Sequence, residues 1–406
     1  MNSKYTIAIL LILGSSALAA DWPCFLGPTG NNVSNETGIN KSWSVKPPKE
    51  LWRIPMTDEG FSGPAILGNR IYLHDHQGEE DLIRALNLET GKEQWRFAYQ
   101  EPGKENDGFT RATPTVEGGY LYTISRTGVV HCLKIGDGSK VWRADVMQDH
   151  GGEPPKWGAA NSAFIDGEQL ITIGAGENSH VVALNKRTGE TLWAGGGTDV
   201  AGYATPIVAT LNSKRQYLIF TGKSIIGVSA TDGKRLWRHP WKTRLDSNAC
   251  APVVLDDQHV WIASGYRRGC ALLKIDTDQV TEVWTDKRIS PNWSSAVLID
   301  GYLYVTTMPG YLVCVEARTG KEAWRSKGTA RGFEHGGLCA IDSTLIVIEG
   351  NTGNVVQVAL SPEAYQELGR ISPFSKAARC WVAPVVAHKR LFVRSPKELV
   401  CLDISQ

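Results

Sequence analysis

The residues best suited to ligand chemistry in this chain are arginines, aromatic residues and amides that stand just before a series of short apolar segments. An arginine guanidinium binds carboxylates and phosphates through paired hydrogen bonds, and its flat face stacks on aromatic rings. A site built from such side chains would take an anionic or sugar-like ligand. The candidate residues are Arg111, Trp157, Asn161, Tyr203, Arg244, Asn248, Asn292, Trp293, Glu334, His335, Arg379 and Trp381.

The same residues also allow a structural interpretation, in which they fill the centre of the fold and hydrogen-bond to loop carbonyls. Buried polar groups are nearly always hydrogen-bonded, so this set is equally typical of a packed interior. The sequence leaves both interpretations open, and substitution separates them. Loss of ligand binding without loss of stability in Arg111→Ala or Trp293→Ala would indicate a site. Loss of stability would indicate a plug.

The elements that must position these residues are defined by a tryptophan repeat. Five of its tryptophans follow a glycine by four positions, as in A-L-N-L-E-T-G-K-E-Q-W (85–95). Each phrase is typical of an alternating strand, a tight turn where glycine takes a positive φ, and a second strand that carries the tryptophan. The repeat tryptophans, which we predict to be structural, are Trp52, Trp95, Trp142, Trp193, Trp237, Trp284 and Trp324.

A second phrase precedes each of these, a strand entry followed by an alternating pair, as in T-P-T-V-E-G-G-Y-L-Y-T-I-S (113–125). Eight entries and eight third strands can be counted, and the last third strand is L-V-C-L-D-I-S (399–405). Four short strands recurring every ~40–50 residues are the signature of a β-propeller blade.

The two ends of the repeat indicate how the propeller closes. The eighth unit stops after its third strand, whereas the first tryptophan strand, Leu51–Pro55, has no partner before it. Using this strand as the outer strand of the last blade closes the ring and removes exposed edges. We therefore predict an all-β, eight-bladed propeller over residues 51–406, with seven blades as the alternative. In such a ring the loops that enter the inner strands converge on one face, which brings the candidate residues toward the central axis.

The residues before the propeller predict export. Lys4 supplies a positive charge, residues 7–13 a short apolar run and residues 17–19 an A-x-A cleavage site. The run is shorter than the ~20 apolar residues that cross a bilayer as a helix. We predict a signal peptide at residues 1–19, a protein located in the periplasm or outside the cell, and an extension at residues 20–50 that packs on the propeller. Cys24 does not directly follow a small-residue box, so no lipid anchor is expected.

Composition narrows the class of partner. Lys and Arg number 43 and Asp and Glu 42, for a net charge of +1, which argues against nucleic acid or an anionic membrane as the main partner. A hydrophobic fraction of 42% excludes disorder. The 42 glycines and 14 tryptophans favour an all-β fold with many turns.

Two groups, His74-Asp75-His76 and Glu334-His335, carry side chains that bind metals. The sequence places the first on a loop between the second and third strands of blade one, and the second in a distant blade. Adjacent strand residues also point to opposite faces. We predict no metal site and expect solvated loop side chains. The sequence contains no nucleophile elbow, phosphate-binding loop or H-E-x-x-H motif, so catalytic residues, if any, stay unknown.

The eight cysteines are spread along the chain rather than paired in sequence. They are Cys24, Cys132, Cys250, Cys270, Cys314, Cys339, Cys380 and Cys401. Several fall on equivalent third strands of blades that are not neighbours, beyond disulfide reach. We expect most of them to be small buried residues, with Cys24 the freest to bridge.

The phrases A-L-N-x-x-T-G-K/E-x-x-W and P-x-V-x-x-G-x-L-Y-V resemble the pyrroloquinoline quinone (PQQ)-like propeller repeat over residues 51–405. The segment W-P-C-F-L-G-P (22–28) resembles the start of secreted propellers of this superfamily. The superfamily includes quinoprotein alcohol and sugar dehydrogenases as well as BamB-like propellers, which scaffold the outer-membrane β-barrel assembly machine. The resemblance therefore implies the fold more strongly than a function.

The dehydrogenases of this superfamily hold PQQ between a tryptophan and a disulfide of two adjacent cysteines, with Ca²⁺ close to a catalytic aspartate. No two cysteines are adjacent here, and no calcium ligand set can be aligned. We therefore expect neither PQQ with calcium nor another cofactor.

Three functions follow in order of preference. The first is an exported, non-catalytic scaffold, BamB-like in role, that binds an envelope protein or peptide. The second is a periplasmic module that binds or transforms a small polar ligand, such as a saccharide, at the face lined by arginine and tryptophan. The third is a PQQ-dependent oxidoreductase.

Overall fold

The fold is a β-propeller of eight sheets, which confirms the predicted fold class and blade number. The computed structural model describes residues 20–101, 108–326, 332–376 and 379–406. Among the four strands of each blade the first is innermost, the fourth is outermost and neighbours are antiparallel; in blade 7 one further strand lies inside the first. No helix in these four ranges is long and apolar enough to cross a membrane.

Residues 20–55, which we call the leading segment, precede the first blade and contain two strands, β1 (Val33–Ser34) and β2 (Lys49–Pro55). Blade 1 consists of β3 (Ala65–Leu67), β4 (Arg70–Gln77), β5 (Glu80–Asn87) and β6 (Glu93–Gln100), and blade 2 consists of β7 (Thr115–Glu117), β8 (Tyr120–Ile124), β9 (Val129–Lys134) and β10 (Lys140–Asp145). Blade 3 consists of β11 (Phe164–Asp166), β12 (Gln169–Gly176), β13 (Ser179–Asn185) and β14 (Thr191–Gly196). Blade 4 consists of β15 (Ile207–Leu211), β16 (Lys214–Phe220), β17 (Ser224–Ser229) and β18 (Arg235–Pro240). A short helix, α1 (Val146–Asp149), follows the second blade.

A 3-10 turn, Arg244–Asp246, leads into the second half of the ring. Blade 5 consists of β19 (Val253–Val254), β20 (His259–Ser264), β21 (Gly269–Asp276) and β22 (Gln279–Asp286), and blade 6 consists of β23 (Val297–Ile299), β24 (Tyr302–Thr307), β25 (Tyr311–Glu316) and β26 (Glu322–Arg325). Blade 7 consists of β27 (Leu338–Ile341), β28 (Thr344–Ile348), β29 (Val355–Ala359) and β30 (Glu367–Ile371). Blade 8 contains β31 (Val385–Ala387), β32 (Arg390–Arg394) and β33 (Glu398–Asp403).

The ring closes through the N-terminal strand, as predicted. Strand β2 pairs antiparallel with β33, with Trp52 opposite Cys401, and so becomes the outer strand of blade 8. Strands from the two sides of the repeat therefore share one sheet, which gives blade 8 its outer strand.

Each repeat tryptophan docks its own blade onto the next one. The ring of Trp142 in blade 2 lies 2.7 Å from where a Cβ on Gly189 of blade 3 would be, and its indole N–H donates to the Lys186 carbonyl at 3.0 Å. Gly189 has a φ of 78°, so the turn needs glycine both for its left-handed backbone and for the space under the indole. The glycine four positions before one repeat tryptophan therefore makes room for the indole of the tryptophan in the preceding blade.

Cysteines oppose three of these tryptophans on the third strands. Cys132, Cys314 and Cys401 each face the tryptophan of their own blade, and burial raises the pKa of the Cys132 thiol to about 12. All eight cysteines are free, and seven are buried. This confirms that most of them are small packing residues.

Every outer strand carries a β-bulge at the residue before its tryptophan position. In blade 3 the register shifts between Thr191 and Trp193, and the skipped residue, Leu192, is 50% exposed. Val141 and Val283 occupy the same position in blades 2 and 5. Such bulges twist an edge away from the geometry that another strand would need for pairing.

Blade 7 departs from the pattern, because Gly369 stands where the other outer strands carry the tryptophan. The leading segment fills the gap: a Cβ on Gly369 would lie 2.5 Å from the Cβ of Trp43. Trp43 is 1% exposed and joins the hydrophobic cluster of blades 7 and 8. The tryptophan that packs on the outer strand of blade 7 therefore comes from outside the repeat.

The rest of the leading segment crosses one end of the central channel. Trp22 pairs with Ile66 of blade 1, and the Pro23 carbonyl accepts the Val116 N–H of blade 2 at 2.8 Å. Strand β1 then adds parallel to β27 of blade 7. Residues 20–34 therefore span the channel from blades 1 and 2 to blade 7.

Candidate functional site

The face of interest is the one where loops from the outer strands enter the inner strands. Neighbouring entries are joined by a hydroxyl relay: the Gly63 N–H donates to Thr113 Oγ1, and the Thr113 N–H donates to Ser162 Oγ. The Ser162 N–H in turn donates to Thr205 Oγ1 at 2.9 Å. This relay fixes where each entry loop begins and so positions the side chains just before it.

Three of the candidate residues meet in an aromatic cluster at the channel mouth. Trp293 lies 5.5 Å from Trp381 between ring centroids and stacks on His335 at 5.7 Å. Phe61 completes the cluster by stacking on Trp381 at 4.6 Å. Phe61 was not among the sequence candidates, although it precedes the inner strand of blade 1 in the same register as the others.

A charged pair covers the edge of this cluster. The Arg379 guanidinium lies 5.3 Å from the Trp381 ring and 5.9 Å from the Phe61 ring, and it forms an ion pair with Glu59. Arginine over an aromatic face gains both stacking and cation–π attraction. The guanidinium is thus already engaged by the protein's own side chains.

A second group forms across blades 1 to 5. Arg111 Nε donates to the Trp157 carbonyl at 2.7 Å, and the Trp157 and Tyr203 rings lie 5.8 Å apart. The Tyr203 N–H donates to the Asn248 carbonyl at 2.8 Å. Burial raises the pKa of Tyr203 to about 12, so its phenol stays protonated.

The three candidate amides hold loops in place. Asn248 donates to the Thr221 carbonyl at 2.8 Å and accepts from Ser264 at 2.6 Å. Asn161 donates to Thr172 Oγ1, and Asn292 accepts the Tyr266 N–H. All three are at least 95% buried. Their polar atoms are therefore committed to the fold.

Two candidates lie apart from these groups. Arg244 is exposed on the Arg244–Asp246 turn. Glu334 is buried beside His335, and burial lowers the pKa of the His335 imidazole. His335 has a left-handed backbone, with a φ of 63°.

The cavity beneath the aromatic cluster is small. It measures about 80 Å³ and is lined by Trp293 and Trp381 on the mouth side and by Trp22, Phe25 and Leu26 of the leading segment. Small-molecule sites usually span ~300–1,000 Å³, so this space suits only a few water molecules. Three polar atoms in the cluster, Nε1 of both tryptophans and Nδ1 of His335, are buried without a partner among the described residues. The small volume of the cavity, rather than these unpartnered atoms, favours the structural interpretation of the mouth.

A wider cavity of about 570 Å³ opens at the opposite end of the channel. Its walls are the inner strands of blades 2 to 6 and residues 23–31 of the leading segment. Glu117 is the charged side chain in this lining. Burial, together with the nearby Glu117 carboxylate, raises the pKa of the Cys24 thiol to about 11, so Cys24 stays a neutral thiol.

The residues at the mouth do not fit PQQ. A flat quinone needs free space against an aromatic face, but Phe61 already stacks on Trp381 and Arg379 covers both rings. All eight cysteines lie within the described residues, and none of them forms a disulfide against which a quinone could pack.

The sequence prediction for His74, Asp75 and His76 is wrong in its placement. These residues lie within strand β4, not on a solvated loop, and each is at most 1% exposed. Both imidazoles contact Asp81, at 2.8 Å from His74 Nε2 and 2.8 Å from His76 Nδ1. Across the described residues, no three His, Cys, Asp or Glu side chains are arranged to hold a metal ion.

Neighbouring strands explain why this polar group is buried. Tyr99 of β6 donates to Asp81 at 2.9 Å, and Thr123 of blade 2 contacts His74 at 3.2 Å. Burial acts to raise the pKa of Asp81, but the charge of His74 and the hydrogen bonds from His74, His76 and Tyr99 outweigh it and hold that pKa well below its usual range. His131, packed on Tyr99 at 4.2 Å, has its pKa lowered by burial to about 4.

A buried guanidinium joins blade 8 to blade 1. Arg394 is 1% exposed, and its Nη1 donates to the Ser62 hydroxyl at 2.7 Å. Burial lowers the pKa of Arg394 to about 10, which leaves the side chain charged at neutral pH. Its position at the end of β32 gave no sequence signal, because a single arginine among apolar residues is not diagnostic.

Comparison with known proteins agrees with this architecture. BamB of Escherichia coli K12 is 23% identical over 341 residues, which cover 71% of this chain and 82% of that protein. BamB of Yersinia pestis is 20% identical over 396 residues, which cover 84% and 97%. Both are described as outer membrane protein assembly factors.

Two solved structures share the fold. The crystal structure of BamB from Moraxella catarrhalis superposes with a TM-score of 0.61 at 16% identity and covers 88% of this chain and 97% of that one. A quinohemoprotein alcohol dehydrogenase from Pseudomonas putida HK5 superposes with a TM-score of 0.65 at 11% identity and covers 95% and 80%.

The family model described as outer membrane protein assembly factor BamB matches residues 42–106, 79–326 and 290–406. These matches span almost the whole propeller, including the closing strand and the last blade. The chain therefore belongs to the family of the outer membrane protein assembly factor BamB, which confirms the resemblance noted from its repeats.

Proposed function

We propose that this protein is an exported, non-catalytic scaffold that binds a protein partner in the cell envelope, in a role similar to that of BamB. Its family membership supports this role, because the named relatives are assembly factors for outer membrane proteins. The filled channel mouth supports it as well, since the aromatic and arginine side chains there contact one another.

The observation that carries the proposal is an exposed leucine held outward by an unfavourable backbone. Leu245 is 42% exposed with a φ of 68°, and Asp246 follows with a φ of 52°. Left-handed conformations are costly for residues other than glycine and concentrate at functional sites. This turn therefore presents an apolar side chain to solvent at some expense to stability.

The surroundings of Leu245 suit a protein contact. Val200, 40% exposed, lies on the neighbouring loop, and its Cγ2 would be 2.6 Å from a Cβ on Gly222. The Cβ of Asp246 would be 2.9 Å from the same point, so the two loops meet over one turn of blade 4. Arg244 adds an exposed guanidinium. Arginine is enriched among the residues that contribute most of the binding energy at protein interfaces.

Site-specific photo-crosslinking tests this surface. A photoreactive residue at position 245 is expected to crosslink in the envelope to a component that assembles outer membrane proteins. The same residue at position 283 should not, because Val283 is similarly exposed, at 49%, but lies on the bulged outer strand of blade 5.

Complementation provides the functional readout. In cells that lack this protein, we expect lower levels of outer membrane β-barrel proteins, which the native chain and Val283→Glu restore but Leu245→Glu does not. Full rescue by Leu245→Glu, or unchanged outer membrane protein levels in the deletion strain, would contradict the proposal.

The proposal also excludes a redox function, and titration calorimetry tests that part. The chain Ala20–Gln406 is expected to give no heat and no shift in melting temperature with PQQ in millimolar Ca²⁺. One-to-one binding at micromolar affinity or tighter would instead direct attention to alcohol and aldose oxidation with an artificial electron acceptor.

A further inference from the structure

Glu36 is a buried carboxylate in the leading segment, 4% exposed. It accepts the backbone N–H groups of His388 and Lys389, each at 2.6 Å. These two residues form the turn between β31 and β32, and both have left-handed backbones. Glu36 therefore fastens the leading segment to the inner hairpin of blade 8.

A third donor reaches the same carboxylate. The backbone nitrogen of Ala20 lies 2.9 Å from Glu36 Oε1. No lysine or arginine side chain in the described ranges forms an ion pair with Glu36. A buried carboxylate without a cationic partner is costly, even when backbone groups donate to it. The Glu36 carboxylate therefore lies next to the backbone nitrogen of Ala20 and has no positively charged side chain among the described residues to balance it.

We propose that cleavage of the Ala19–Ala20 bond supplies a balancing positive charge, and that the new, half-buried N-terminus forms an ion pair with the buried Glu36 carboxylate. Hydrolysis by a signal peptidase consumes one water molecule, leaves a carboxylate on Ala19 and a protonated amine on Ala20. An α-amine has an ordinary pKa of about 8 and is mostly charged at neutral pH. The inference rests on the proposed export, because the cleavage belongs to that step.

The surroundings hold Ala20 in place for this pairing. Asp21 Oδ1 accepts the Gly68 N–H at 2.8 Å and contacts His388 Nε2 at 2.8 Å, and Trp22 pairs with Ile66. The nitrogen of Ala20 is thus positioned before any charge is placed on it. The ion pair stabilises the segment that spans the channel, so the propeller reaches its full stability only after the bond before Ala20 is cleaved.

Three forms of the protein isolate the charge. The first begins at Ala20 with a free amine, the second is the same chain with an acetylated amine, and the third begins at Ala19. The acetylated and longer forms keep an N–H donor at Ala20 but have no charge there. We expect the free-amine form to melt about 1–2 °C above the other two, the shift that a moderate gain in stability produces in a chain of about 400 residues.

The same three forms are then compared in the Glu36→Gln variant, which removes the negative charge. It should lower the melting temperature of all three forms, because it weakens the contacts to His388 and Lys389, and it should abolish the difference among them. In Glu168→Gln, a control at an exposed carboxylate of blade 3, the difference should persist. Equal melting of the free and acetylated forms in the native background would overturn the ion pair.

N-terminal sequencing of the protein recovered from the cell envelope tests the cleavage separately. A sequence that starts at Ala20 supports it, and any other start overturns the proposed processing point. The melting comparison uses chains prepared with defined ends. A failure of export and a failure of the ion pair are therefore distinguished.

Discussion

Replacing Trp43 by alanine should destabilise the propeller at the junction of blades 7 and 8. The side chain is 1% exposed and occupies the docking position that Gly369 leaves empty in the seventh outer strand. Truncation of a buried tryptophan costs ~3–5 kcal/mol. A chain of about 400 residues has an unfolding entropy of ~0.8 kcal/mol/K if it melts as one unit, so the melting temperature should fall by ~4–6 °C.

Scanning calorimetry measures this shift, with two companion variants. Val45→Ala removes a side chain that is 84% exposed two residues away and should melt like the native protein. Gly369→Ala should be destabilising, because its new Cβ would lie 2.5 Å from the Ser44 nitrogen, a backbone atom that cannot move alone. If Trp43→Ala and Gly369→Ala both melt within 1 °C of the native protein, the leading segment does not complete blade 7.

The remaining predictions concern the repeat, the mouth and the buried histidine. Trp193→Ala should lower the melting temperature, at a cost below the ~3–5 kcal/mol of a fully buried tryptophan because Trp193 is only partly buried, and a melt equal to the native one would refute the blade register. Gly233→Ala should also lower the melting temperature, since Gly233 has a φ of 74° and its Cβ would lie 2.4 Å from the Trp193 ring. Trp293→Ala should lower the melting temperature whereas Arg244→Ala, at an exposed position, should not; the reverse order would contradict the plug. Because the folded-state pKa of His131 is lowered to about 4, the unfolded chain binds more protons between pH 4 and 6.5, and native stability should fall as pH falls through that window. Denaturant unfolding of His131→Phe should show less of this loss, and an identical pH profile would contradict it.

The blades could be predicted from the sequence because the same packing contact recurs between successive blades. The spacing of glycine and tryptophan is imposed by one docking contact, Trp142 on Gly189 in blade 2 and Trp284 on Gly320 in blade 5, so the same phrase recurs wherever the contact does. Ring closure followed because a strand without a tryptophan partner at one end matched a blade without an outer strand at the other.

The parts that the sequence did not reveal depend on contacts that occur once. Trp43 and Glu36 lie outside the repeat and meet partners more than 300 positions away, so no periodicity marks them. His74 and His76 resembled a solvated loop because three polar residues in a row suggest exposure. Their burial depends on Asp81 and Tyr99, which reach them from neighbouring strands. Phe61 could have been found, since it shares the entry register with the predicted residues.

The way the chain closes itself bears on where a partner can bind. The aromatic cluster fills the mouth end of the channel, where only about 80 Å³ is left, whereas the leading segment crosses the other end beside a cavity of about 570 Å³. Bulges such as the one before Trp193 oppose strand addition along the outer edges. The loops of the mouth face, with Leu245 held outward among them, are the surfaces that these devices leave available. A partner of this propeller should therefore contact loop side chains rather than extend a sheet, which is why the test of its function begins at Leu245.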